Sequence, residues 1–210
     1  MSNDLDFLFK PLVLVTGFGP FLNHPVNASW EAVKRINKEE LETKHNIELV
    51  LLEIPVTYEN VDEFVPALWE THTPKGYQRK DYFDKCPANH ICTADGAIRL
   101  HTKLNVERIC KEFNGNSTDD TSAISSKDAG RYLCEYIYYT SLSVDNSRTL
   151  FIHVPDIAKY PSQVTAKALE KILELTLEQV IEMDSSKEIT EKLRDVNLNN
   201  SGGNTTQNNL

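Results

Sequence analysis

Two residues of this sequence are candidates for covalent chemistry, Cys134 and His153. The run Asp128-Ala129-Gly130-Arg131-Tyr132-Leu133-Cys134 puts the cysteine in the second turn of a helix expected to start near Asp128 and to run through Tyr139. A helix N-terminus carries partial positive charge, which lowers a thiol pKa and raises the thiolate fraction. On position alone, an inert buried cysteine is the competing reading. His153 lies near the end of the apolar run Thr149-Leu150-Phe151-Ile152-His153-Val154, just before Pro155. Ligand sites in open α/β sheets collect at strand ends, and a neutral imidazole there can take a proton from Cys134, as a Cys–His pair requires. The alternative is a histidine that satisfies a backbone carbonyl.

A third candidate is Thr16-Gly17-Phe18-Gly19-Pro20-Phe21, which follows the apolar run Leu12-Val13-Leu14-Val15. It is not a dinucleotide fingerprint. The third glycine is missing, and Pro20 and Pro25 delay the helix whose N-terminus would hold a pyrophosphate. The glycines still let backbone approach a ligand while Phe18 and Phe21 supply apolar walls, which suits a small, mostly apolar group. A sharp turn with two core phenylalanines fits the spacing equally. Cys86, His90 and Cys92 lie within seven residues, but no paired spacing accompanies them and no metal site is assigned. The acidic clusters Glu39-Glu40-Glu42 and Asp119-Asp120 read as solvated surface.

Elements that must position these residues follow from periodicity. Strands are expected at 12–15, 47–54, 121–124 (weak) and 149–154. Helices are expected from Asn27 or Ser29 to the Lys38–Lys44 region, over Val61 to Trp69, over Leu104 to Phe113, from Asp128 through Tyr139, and from about Ser162 to Met183. Strand alternating with helix is the rhythm of an α/β domain with a parallel sheet. Lys75 to Gly96 breaks it, since a structureless loop longer than about 12–15 residues is unusual in a compact domain. From Asp184 the chain turns polar, so residues 184–210 are expected to be a disordered tail and 1–10 a flexible leader, leaving 11–183 as the domain.

Composition narrows the function classes. The 210 residues carry 22 Lys+Arg against 31 Asp+Glu, a net charge of −9. That balance speaks against nucleic acid, which needs a basic surface. No apolar run approaches the roughly 20 residues of a membrane-spanning helix. The N-terminus has no basic region ahead of an apolar run, so no secretory signal is expected, and the four irregularly spaced cysteines read as reduced thiols of a cytoplasmic protein. The four Asn-x-Ser/Thr sequons accordingly carry no glycosylation claim.

Taken together, Leu14 to Phe21, Val26-Asn27-Ala28-Ser29-Trp30 and Ile54-Pro55-Val56 resemble blocks of the type I pyroglutamyl-peptidases. So do Asp128 to Tyr136, Tyr138-Tyr139-Thr140-Ser141-Leu142 and Phe151-Ile152-His153-Val154-Pro155. The resemblance spans most of Leu12 to about Leu175. It implies a three-layer α/β/α sandwich with a mostly parallel central sheet and a cytosolic cysteine exopeptidase acting on N-terminally pyroglutamylated peptides. The family uses a Cys–His–Glu triad with no metal or cofactor. By this resemblance Cys134 is the nucleophile, His153 the general base, and Phe18 and Phe21 hold the pyrrolidone ring.

Between Pro74 and Lys75 the sequence departs from that family. A further apolar strand, a glycine-containing turn and the segment bearing the triad glutamate are not there, and Glu53, Asp95 and Glu107 are not assigned to the role. Loss of the orienting acid costs roughly four orders of magnitude in the serine-enzyme analogy. Loss of a central strand strips its neighbours of hydrogen-bond ladders and the helix Val61 to Trp69 of its packing surface. Three readings therefore stand: a pyroglutamyl-peptidase of impaired turnover, a non-catalytic relative that binds pyroglutamyl groups, and an incomplete gene product without a stable fold.

Overall fold

The computed structural model describes residues 10–21, 24–61, 100–116, 121–130 and 132–201, and the side chains of these up to residue 191. Strand β1 (Leu12–Phe18) pairs in parallel with β2 (Glu48–Ile54), Leu12 opposite Glu48 and Phe18 opposite Ile54. Parallel neighbours need a crossover, supplied by helices α1 (Ala28–Val33) and α2 (Lys38–His45). A single helix of about four turns was the expectation from sequence. Instead Arg35 and Ile36 bond back only three residues, and Asn37 starts α2 afresh, its side-chain oxygen accepting the Glu40 N–H.

Strand alternation divides the sheet into two faces. Val13, Val15, Leu49 and Leu51 pack with Ala32, Val33, Ile36 and Leu41 of the crossover and with Leu169 and Leu177 of the last helix, α5 (Ser162–Ser201). Phe18 and Ile54 turn the other way, onto Leu133, Tyr136 and Ile137 of α4 (Leu133–Val144). Helices thus cover both faces, the expected three-layer α/β/α arrangement. Helix α3 (Val106–Asn116) packs Ile109 and Phe113 on Ile172 and Leu175 of α5. No helix among the described residues is long and apolar enough to cross a membrane.

Three local expectations are corrected. Among the described residues the sheet has two strands, and neither 121–124 nor 149–154 joins it. At Ala123 the Asn114 side-chain amide takes the place of a neighbouring strand, donating to the Ala123 carbonyl and accepting its N–H. In 149–154 the side chains still alternate: Leu150, Ile152 and Val154 pack on the α3/α5 side, Phe151 on the α4 side. A strand needs a neighbouring backbone to ladder with, and among the described residues none ladders with this segment.

Helix α4 starts at Leu133 rather than near Asp128. Gly130 has φ +94, outside the helical region, and the Asp128 carboxylate accepts the Gly130 N–H to close a turn. At the other end α5 continues to Ser201, so residues 184–201 are helical where a disordered tail was expected; 202–210 lie outside the described residues, as do 1–9 and the 75–96 segment. A packed helix propagates cheaply once nucleated. Ser186 and Thr190 hydroxyls bond back to the carbonyls of Glu182 and Ser186, and Arg148 pairs with Asp184 at 2.6 Å. Within its described side chains Ile189 is 60% exposed.

Helix α1 approaches β1 closely at Gly17. A Cβ on Gly17 would stand 2.7 Å from the Trp30 backbone. Gly17→Ala is therefore expected to destabilise the fold by about 1–3 kcal/mol, read from the shift of the urea unfolding midpoint. Where α4 ends, Asp145 is partly buried, which by itself would raise its pKa, but bonds from Ser147 and Arg148 outweigh this and hold it below the usual carboxylate value. A depressed folded pKa adds stability above the unfolded value, lost as pH falls through the folded one. Asp145→Asn should thus lower the unfolding midpoint at about pH 6, and the gap to the parent should narrow towards about pH 3.

Candidate active site

Local hydrogen bonds hold the turn after β1 against the start of α1. Asn27 caps α1 by accepting the Ser29 N–H at 3.1 Å, while its amide donates to the Gly19 carbonyl at 2.9 Å. The Ser29 hydroxyl accepts the Phe18 N–H at 2.9 Å. Gly19 N–H in turn reaches Ile54 O at 2.9 Å, so the turn is pinned to both strands. Phe21 exchanges backbone hydrogen bonds with His24 and stacks on its imidazole at 5.1 Å. In this way the two motifs read separately in the sequence become one unit, with Asn27 and Ser29 as its clamp. From the sequence these two residues read as helix caps within the Val26–Trp30 block, without the bonds to the turn, and His24 carries no signal in its spacing.

Phe18 and Phe21, both half-buried, pack against the cluster of Ile54, Val56, Tyr58, Val61, Leu133, Tyr136 and Ile137, where Phe151 also packs. The turn, the first turn of α4 and the chain leading to His153 therefore converge. Cys134 is the second residue of α4, in its first turn rather than its second. The first intrahelical bond is Tyr136 N–H to Tyr132 O, so the N–H groups of Leu133 and Cys134 precede the ladder. Burial pushes the Cys134 thiol above its ordinary value, against a weaker opposite pull from its own N–H. The expected lowering by the helix N-terminus is thus overridden by loss of hydration. His153 is exposed, its ring set edge-to-face on Phe151 at 4.9 Å. Among the described residues, no hydrogen bond joins Cys134 to His153.

Neither described acid considered from sequence takes the third position. Glu53 pairs in register with Gly17, on the α1 side of the sheet, and its carboxylate stands 2.6 Å from where a Cβ on Gly19 would lie. Glu107 sits on α3, where its charge, after burial, helps to raise the Cys110 thiol. Asp95, like Cys86, His90 and Cys92, lies outside the described residues, and among those described no group of three could hold a metal ion.

The clamp generates a direct test. Asn27→Ala loses the cap and the bond to Gly19 O and should cost about 1–2 kcal/mol. Asn27→Asp keeps the cap acceptor and should cost less. Urea unfolding of both variants measures the difference.

The family model for pyroglutamyl peptidases matches residues 11–75 and 79–186, and its two stretches part beside the Pro74–Lys75 junction. Human pyroglutamyl-peptidase 1 is 36% identical over 193 residues, covering 80% of this chain and 91% of that protein. The pyrrolidone-carboxylate peptidase of Bacillus licheniformis is 29% identical over 214 residues, covering 85% and 95%. In fold, the chain is similar to the crystal structure of pyroglutamyl peptidase I from Bacillus amyloliquefaciens, with TM-score 0.62 and 23% identity over 78% of this chain and 95% of that one. A mutant pyrrolidone carboxyl peptidase from Pyrococcus furiosus superposes with TM-score 0.65 at 18% identity, over 80% and 99%. With the family model matching on both sides of the junction and the human relative above a third identical, this chain belongs to the pyroglutamyl peptidase family.

Proposed function

We propose that this chain removes N-terminal pyroglutamate from peptides as a cysteine-type exopeptidase, with Cys134 as nucleophile, His153 as general base, and Phe18 and Phe21 as walls for the pyrrolidone ring. The observation that carries the reading is the shared cluster: the phenylalanine turn, the first turn of α4 and Phe151 all pack on it. His153 takes the Cys134 proton, and the thiolate attacks the pyroglutamyl carbonyl. The imidazolium then protonates the leaving amine, and water frees the acyl-enzyme. The N–H groups of Leu133 and Cys134 are candidate donors to the oxyanion. No metal or cofactor enters this scheme. Residues 11–183 form the peptidase domain, and a cytoplasmic location agrees with the free thiols of Cys110 and Cys134 among the described residues.

Because burial favours the neutral thiol, the base has more to do here than beside an acidic cysteine, and no described carboxylate stands behind it. Weak turnover is therefore expected. Hydrolysis of a fluorogenic pyroglutamyl amide, abolished by Cys134→Ala and by prior alkylation, supports the proposal. His153→Ala should slow iodoacetamide labelling of Cys134 near neutral pH, and an unchanged rate counts against the pair. The raised thiol and the absence of a Cys134–His153 bond among the described residues favour one second reading, a relative that binds pyroglutamyl groups without turning them over. Saturable pyroglutamate binding, read by calorimetry, with no hydrolysis selects it.

A further inference from the structure

An imidazole that serves as a base must keep one nitrogen aimed at the thiol, a task that a hydrogen-bonded carboxylate performs in a triad. Among the described residues no carboxylate pairs with His153; what it meets is a ring. Phe151 stands edge-to-face to it, with centroids 4.9 Å apart and planes at 81°. Tyr138 lies against Phe151 at 5.6 Å and 36°. Tyr138 is also four residues after Cys134 on α4, and residues so spaced share a helix face. Phe151 itself is anchored, because it packs on the cluster of Leu133, Tyr136 and Ile137. A continuous line of contacts thus runs from the face that bears Cys134, through two rings, to the exposed imidazole.

We infer that Phe151, backed by Tyr138, is the positioning residue for His153. The inference rests on the reading of His153 as base to Cys134. Edge-to-face packing on a ring that is itself packed on the cluster restricts imidazole rotation by shape and quadrupole attraction. It does by contact what the acid does by hydrogen bond, and it supplies no negative charge to stabilise the imidazolium. Orientation is kept while charge compensation is not.

Iodoacetamide labelling of Cys134 in the full chain, followed by mass spectrometry across a pH series, tests this. Phe151→Leu keeps an apolar side chain and removes the ring. Its labelling near neutral pH should fall by about tenfold, part of the roughly 10²- to 10⁴-fold that a positioned base supplies. In strong alkali, where the thiol ionises unaided, the rate should stay parental. Phe151→Tyr, which restores the ring, should recover the neutral-pH rate. Tyr138→Leu removes the backing ring from α4 and carries the same comparison should Phe151→Leu fail to unfold cooperatively. Parental labelling of Phe151→Leu beside slowed labelling of His153→Ala overturns the positioning role alone, as does a loss equal at every pH. Parental labelling of His153→Ala overturns the base and the positioning role together.

Discussion

The approach of α1 onto the end of β1 is the constraint on which the rest of this structure depends. Gly17 admits the Trp30 backbone where any Cβ would collide, and the Asn27 and Ser29 side chains then take up the polar groups of Phe18 and Gly19. A polar backbone turn at a sheet rim is costly unless each group finds a partner. Here the same bonds that satisfy it set the direction of the Phe18–Phe21 turn and the entry of α1 into the core with Ala32 and Val33. Fold and candidate site share one joint.

Across the sheet the second half of the site is held by packing instead. Leu133 is 1% exposed and seats the first turn of α4, which leaves Cys134 half-buried next to it. Burial sets its electrostatics: removing a thiolate from water costs more than the helix end returns. His153 is exposed, and its contact with Phe151 ties it to the same hydrophobic cluster. Nucleophile and base candidates therefore differ in solvation although they stand on one cluster.

Much of this was legible in the residues. The apolar runs at 12–15 and 47–54 mark the two strands, because buried parallel strands are continuously apolar, and both are in the sheet. Helices α3, α4 and α5 lie near their expected places, with boundaries moved by particular residues: Asn37 divides the crossover, Gly130 delays α4, and α5 outruns its apolar stripe. The runs at 121–124 and 149–154 show where periodicity stops being sufficient. A strand is a property of two backbones, and a sequence reports only one of them.

By itself the sequence determined the identities and order of the chemical groups: the phenylalanine turn, a cysteine near a helix start, and a histidine at the end of an apolar run. These are local, carried by residue type and spacing. Tertiary structure decided which of them meet and in what medium. It joined Asn27 and Ser29 to the turn, put Glu53 on the far face by strand register, and set Phe151 between α4 and His153. It also reversed the expected acidity of Cys134. Register, the Tyr138–Phe151 contact and desolvation depend on residues from separate elements, so a local window of sequence does not contain them.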